Sequence, residues 1–176
     1  VSVYNDTSAG ASINYVECHD GSTFADKISV TVGGSLRNRQ KYTELATSLV
    51  MFSQGVSFIQ AGQEMLRSKK VPTEWLSDPA IKANLNTDHY QNGYFTNSYN
   101  YSDAVNAINW DWAITNNQTV SAVRDMIELK KDHRSFFSQS SGANIDKNVV
   151  FKATGNNTLL AYEITPDTSK NLKDSW

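Results

Sequence analysis

The chain has 176 residues, enough for one ordinary domain, yet it begins at Val1 and stops at Asp174-Ser175-Trp176, which reads as a piece of a longer polypeptide. Its net charge is -2, its pI is near 5.9 and its charges are scattered, so no basic surface is offered to nucleic acid. No window approaches the roughly 18 apolar residues that span a bilayer, and no basic and apolar leader opens the chain. The lone Cys18 excludes an internal disulfide, and His19, His89 and His133 are too dispersed to read as a metal site. Asn, Ser and Thr are abundant and aromatics are threaded among them, which suits a neutral polyhydroxyl ligand and equally an uncharged polar surface.

The first predicted element is a β-type run over 13–19, bounded by Gly10 before and Asp20-Gly21-Ser22 after. Gly33-Gly34-Ser35 breaks the chain. Tyr42, Leu45, Ala46, Leu49 and Val50 then recur at helical spacing, which predicts a helix over 36–53 that ends near Gly55. Residues 56–61, apolar and flanked by Gly55 and Gly62, predict a buried strand. Strand, helix and strand in this order make a βαβ unit with parallel strands.

Between 65 and 117 no period is sustained, so a functional loop with a few short helical turns is expected. Val120, Val123 and Ile127 share one face of a predicted helix over 119–133. Finally, 149–154 and 158–164 read as two strands joined by the three-residue turn Gly155-Asn156-Asn157. A lone βαβ unit leaves most of a sheet unpaired, and a hairpin alone is marginal in water, so the elements belong to something larger. The same unpaired edges predict that the piece associates with itself.

His19-Asp20 falls where the first strand is predicted to end, the place where ligands gather in parallel α/β proteins, although such a dipeptide also serves simply to cap a loop. Its surroundings are more specific. The run Ile13-Asn14-Tyr15-Val16-Glu17-Cys18-His19-Asp20, followed by Thr23-Phe24-Ala25-Asp26-Lys27, resembles the seventh barrel strand of type I pullulanases in the α-amylase superfamily. Three further blocks match in order: Ser53 through Glu64 resembles the eighth strand and its exit, Asn97-Ser98-Tyr99-Asn100 with Ser102-Asp103 and Ile108-Asn109-Trp110-Asp111 the following loop, and Leu129 through Phe136 the last barrel helix.

The resemblance implies an α/β fold: strands 7 and 8 of a (β/α)₈ TIM barrel with their helices over 1–137, then the start of an all-β C-terminal domain over 138–176. It implies a glycoside hydrolase that cleaves α-1,6-glucosidic bonds of pullulan, branched dextrins and glycogen with retention. That chemistry needs a nucleophilic carboxylate and an acid/base carboxyl about 5 Å apart. Both would lie upstream of Val1, so the piece alone is expected to be inactive. By match, Asp20 is the transition-state stabiliser and His19 a hydrogen-bond donor to the sugar at the cleavage subsite. Asn97, Tyr99 and Asp103 are candidates for substrate contact, with loop-fixing hydrogen bonds as the alternative. The chain departs from the pattern at Gly21, where relatives commonly carry Asn, at Ala25, where Trp is usual, and at Arg134, where Pro is frequent.

No cofactor or metal is expected in this chain, with calcium assignable only elsewhere in the parent. By resemblance the parent is extracellular or on the cell surface. Cys18 is expected to pack as a small apolar residue, because neighbouring strand side chains point to opposite faces and cannot pair it with His19. Glu17 is expected to take a buried partner, Glu64 to contact ligand or to sit beside Arg67, and Trp110 and Trp112 to anchor packing. The competing reading is a non-catalytic carbohydrate-binding or structural module, with a barrel that has lost its catalysis as a third.

Overall fold

The computed structural model describes residues 9–86, 89–169 and 172; the ends that read as cut boundaries lie outside them. After a 3-10 turn at Ala9–Ala11, the chain forms β1 (Ile13–Asn14), α1 (Phe24–Thr31), α2 (Leu36–Phe52) and β2 (Val56–Ser57). A 3-10 turn at Gln63–Met65 leads to α3 (Thr73–Ser77), α4 (Pro79–Asn84), β3 (Tyr90–Gln91) and β4 (Tyr94–Phe95). Then come α5 (Asp103–Asn106), α6 (Asp111–Thr115), α7 (Asn117–Asp132), α8 (Arg134–Phe137), α9 (Gly142–Asn148), β5 (Val149–Phe151) and β6 (Tyr162–Ile164). The elements form two compact units: the described residues of Val1–Asn14, Leu49–Phe58 and Asp125–Trp176 make the first, and those of Tyr15–Ser48 and Ile59–Arg124 the second.

In the first unit β1 and β2 pair in parallel, Ile13 opposite Val56 and Asn14 opposite Ser57, as the βαβ reading requires. Both strands are far shorter than predicted, and 56–61 is not the buried strand expected: Val56 and Phe58 are exposed, since the two-stranded sheet has no covering layer there. From Tyr15 onward the backbone leaves the ladder, so Cys18 is half-buried in irregular chain and the alternation argument about its neighbour does not apply. The Gln54 side chain stands in for the missing ladder: its Nε2 donates to Phe136 O at 2.6 Å and its Oε1 accepts from Gln139 N at 3.2 Å. Fully buried Gln139 in turn donates to Thr165 O and accepts from Asn148 Nδ2. Lys130 Nζ donates to the carbonyls of Ser53 and Gly55, just past the end of α2, and to Ser57 Oγ in β2. Burial pulls this ammonium down to about 8.

Strands β5 and β6 are antiparallel, with Val149 opposite Ile164 and Phe151 opposite Tyr162. The hairpin was expected, but its connection is not three residues. Lys152 N still reaches Ala161 O, and beyond it the Thr154 hydroxyl folds the tip by binding Asn156 O and Leu159 O. Phe151, Leu159 and Leu160 lie exposed on it.

In the second unit Thr23 caps α1 by accepting from Asp26 N at 3.1 Å. The stretch expected to be loop carries its own core, in which Val71, Leu85, Phe95 and Val105 are packed by Trp75, Leu76, Tyr90 and Tyr101. Phe95 and Tyr101 rings lie 4.3 Å apart. The hairpin β3–β4 turns through Asn92 and Gly93, at φ of 51° and 83°, the two-residue turn that Asn-Gly favours because both positions need a left-handed backbone. Trp110 is 68 % exposed and Trp112 half-buried, so Trp110 is not the packing anchor expected from its alternation with Ile108; both precede or open the short helix α6, where period two has no meaning.

Gly55 has a φ of +105°, and a Cβ there would meet Ser12 Oγ, Ala9 O at 2.8 Å and Ser12 O at 2.9 Å. Gly55→Ala is therefore expected to lower the unfolding free energy by about 2–3 kcal/mol, whereas Gly93→Ala, with open space at φ +83°, costs about 1–2 kcal/mol, as urea denaturation would show.

Candidate functional site

The departure of the backbone from β1 produces a turn at His19-Asp20-Gly21. His19 adopts φ 54°, a left-handed conformation that costs a non-glycine residue about 1–2 kcal/mol and persists only where the surroundings impose it. Here they do. The His19 carbonyl accepts from Gln60 Nε2 at 2.8 Å and from Lys69 Nζ at 3.0 Å. The Asp20 carbonyl accepts from Ser98 N at 2.8 Å and Ser98 Oγ at 3.2 Å, and Lys69 Nζ also reaches the Gly21 carbonyl at 3.0 Å. With all three carbonyls held, the side chains of His19 and Asp20 face solvent. Among the described residues nothing hydrogen-bonds the Asp20 carboxylate.

Gly21 forms an antiparallel bridge with Asn97, which brings the third matching block beside the first. Asn97 Oδ1 accepts from Tyr99 N at 3.0 Å, and Asn106 Nδ2 ties the loop by donating to Ser98 O and Tyr101 O. The Asn97 oxygen thus fixes the loop, while the Tyr99 ring is 63 % exposed and available for contact. Asp103 is exposed at the start of α5, and no described hydrogen bond links it to the His19–Gly21 turn. Beside the bridge, a recess of about 90 Å³ lined by Ser22, Lys27, Gln91, Tyr94 and Thr96 has room for several waters.

Beneath the turn lies a buried charged cluster that the sequence did not suggest as a unit. Glu17 is 3 % exposed; its Oε2 accepts from Phe24 N and its buried Oε1 has no hydrogen-bond partner among the described residues. Burial, opposed by the Phe24 hydrogen bond, pushes this carboxyl up to about 7. Asp26 Oδ1 accepts from Ser68 Oγ at 2.6 Å and Oδ2 from Lys69 N at 2.7 Å; burial raises its carboxyl above the usual range despite those bonds. Burial likewise lowers the Lys69 ammonium, partly restored by the charges of Asp20, Glu17 and Asp26. Glu64 accepts from Gly62 N, and Arg67 Nη2 donates to Asn106 O at 2.5 Å. Lys69-Lys70 in sequence reads as exposed charge, and only the fold shows that Lys69 is 1 % exposed. Asn92-Gly93, by contrast, is a hairpin signal present in the sequence that could have located β3 and β4.

Among the described residues no group of three or more His, Cys, Asp or Glu gathers as a metal site would need, and no helix is long and apolar enough to cross a membrane. No protein-family profile matches the chain. Curated relatives and solved structures do. The pullulanase of Bacillus subtilis is 32% identical over 154 residues, 87% of this chain and 18% of that protein. The crystal structure of Anoxybacillus sp. pullulanase complexed with maltotriose superposes with a TM-score of 0.70 at 31% identity, over 89% of this chain and 19% of that one. Pullulanase from Bacillus acidopullulyticus gives the same TM-score of 0.70 at 29% identity, over 92% and 17%.

The chain's mixed helix-and-sheet fold matches those solved pullulanase structures. The relatives and structural neighbours are consistently pullulanases, and the chain is similar to them over most of its own length. It spans less than one fifth of the curated relative described and about as little of the solved structures.

The buried carboxyl makes stability depend on pH. A folded Glu17 that titrates near 7, against an ordinary 4.5, binds its proton more tightly than the unfolded chain does. Its contribution is full below the unfolded value and is lost as pH rises through about 7, a change of about 3 kcal/mol, with Asp26 acting in the same direction. Urea midpoints are expected to fall from about pH 5 to about pH 8, and Glu17→Gln is expected to flatten that fall. An unaltered slope in the variant would refute the assignment.

Proposed function

We propose that this chain is the part of a pullulanase-type debranching enzyme that supplies the transition-state stabiliser Asp20 and the sugar-binding His19, and that the enzyme cleaves α-1,6-glucosidic bonds in pullulan and branched α-glucans. The observation that carries the reading is the imposed left-handed His19 turn, whose three anchored carbonyls present the exposed Asp20 beside the Asn97–Tyr99 loop. A backbone so held fixes where the Asp20 carboxylate emerges, and a preorganised charge that meets the positive charge developing on a sugar ring lowers barriers by several kcal/mol. The relatives supply the substrate class, since solved pullulanases are complexed with maltotriose.

On this reading the parallel β1–β2 pair belongs to barrel strands 7 and 8, residues 1–137 to the barrel and 138–176 to the start of a C-terminal β domain. The nucleophile and the acid/base lie outside the chain, which alone is inactive. Tyr99 contacts substrate, whereas Asn97 acts chiefly on the loop. No cofactor is assigned to these residues, and an extracellular or cell-surface location follows from resemblance to secreted pullulanases. Exposed Ile13 and Val56 on the two-stranded sheet favour self-association of the isolated chain, which light scattering would detect as a concentration-dependent mass.

Reducing-sugar release from pullulan by the full-length enzyme tests the reading. Asp20→Asn is expected to lower kcat by about 10²–10³-fold or more, and the isolated chain to show no release. Wild-type activity that survives Asp20→Asn would reject the role.

A further inference from the structure

We infer that Lys69 is a positioning residue for the proposed reaction, holding the Asp20 turn from inside through the carbonyls on either side of it; this rests on the catalytic reading of Asp20. The carbonyls of His19 and Gly21, on either side of Asp20, both accept from the Nζ of the buried Lys69. One ammonium on a flexible stem satisfies both at 3.0 Å, something that neither a neutral amide with a single reach nor a planar guanidinium does as compactly. The side chain is 1 % exposed, so the charge is not there for solubility. Its own main chain is fixed by Lys69 N donating to Asp26 Oδ2, and its carbonyl accepts from Phe95 N in the aromatic core. The charges facing it are Glu17, Asp26, Asp20 and the like-signed Arg67. Lys69 therefore links a rigid hairpin core to the backbone on both sides of Asp20, and its charge interacts with that of the Asp20 carboxylate.

Two measurements separate the clamp from the reaction. In the 176-residue chain, Lys69→Met is expected to speed amide exchange at Ser98, whose N–H binds Asp20 O, by about tenfold or more. Exchange at Val71, whose N–H binds Gly93 O in the same unit, should change by less than about twofold. In the full-length enzyme the same variant is expected to lower kcat about 10–100-fold on pullulan with KM within about threefold, the pattern of an interaction made in the transition state. Equal acceleration at Ser98 and Val71 would show general unfolding and overturn the inference. So would an unchanged kcat in an enzyme that does depend on Asp20. If the enzyme is indifferent to Asp20→Asn, the catalytic reading falls and positioning for it falls too, while the exchange comparison still decides whether Lys69 holds the turn.

Discussion

A buried ammonium group under the His19–Asp20–Gly21 turn is the constraint on which the site depends. A left-handed histidine is unfavourable by itself, and the turn it makes presents the carbonyls of His19 and Gly21 to one buried side chain. Lys69 makes that conformation tenable by donating to both, and Gln60 and Ser98 complete the anchorage. Burying the ammonium carries a desolvation cost, and the carboxyl groups of Glu17 and Asp26 nearby offset part of it. The outcome is a turn whose three carbonyls are held and whose two side chains, His19 and Asp20, are exposed.

The same arrangement explains why the segment after Lys69 folds as it does. A long polar loop with scattered aromatics would leave the Lys69 backbone unsupported. The core of Val71, Leu85, Phe95 and Val105 gives it a support, and Phe95 N donates directly to Lys69 O. The hairpin then delivers Asn97 to its bridge with Gly21, so the sequence block that begins at Asn97 meets the block that ends at Asp20. The aromatic residues that suggest sugar platforms are in part this core: Trp75, Tyr90 and Tyr101 pack inward, while Tyr99 and Trp110 remain at the surface.

Much of this was legible in the residues and some was not, for physical reasons. The helices over 36–52 and 117–132 followed from apolar spacing, and the parallel pairing of β1 with β2 from the order of elements. The blocks around His19-Asp20 and Asn97 carried the relationship to pullulanases. Strand lengths and burial were both overstated: Ile13, Tyr15, Val56 and Phe58 are exposed, because a sheet of two strands supplies neither further ladder partners nor a covering layer, and past Asn14 and Ser57 the chain is irregular. Trp110 was misjudged by alternation in a segment that opens a helix. Lys69 and Glu17 were illegible as neighbours, since Lys69 reaches the turn by hydrogen bonds to the distant His19 and Gly21 carbonyls and meets Glu17 only as a charge through space, and a Lys-Lys pair ordinarily marks solvent.

The central claim is that the surface made by His19, Asp20 and the Asn97–Tyr99 loop receives an α-glucan. Chemical-shift mapping of the isotope-labelled chain during titration with maltotriose tests it most directly. The account predicts saturable shifts centred on His19, Asp20, Asn97 and Tyr99. Shifts confined to the β5–β6 hairpin, or none at these four residues at millimolar sugar, would contradict it.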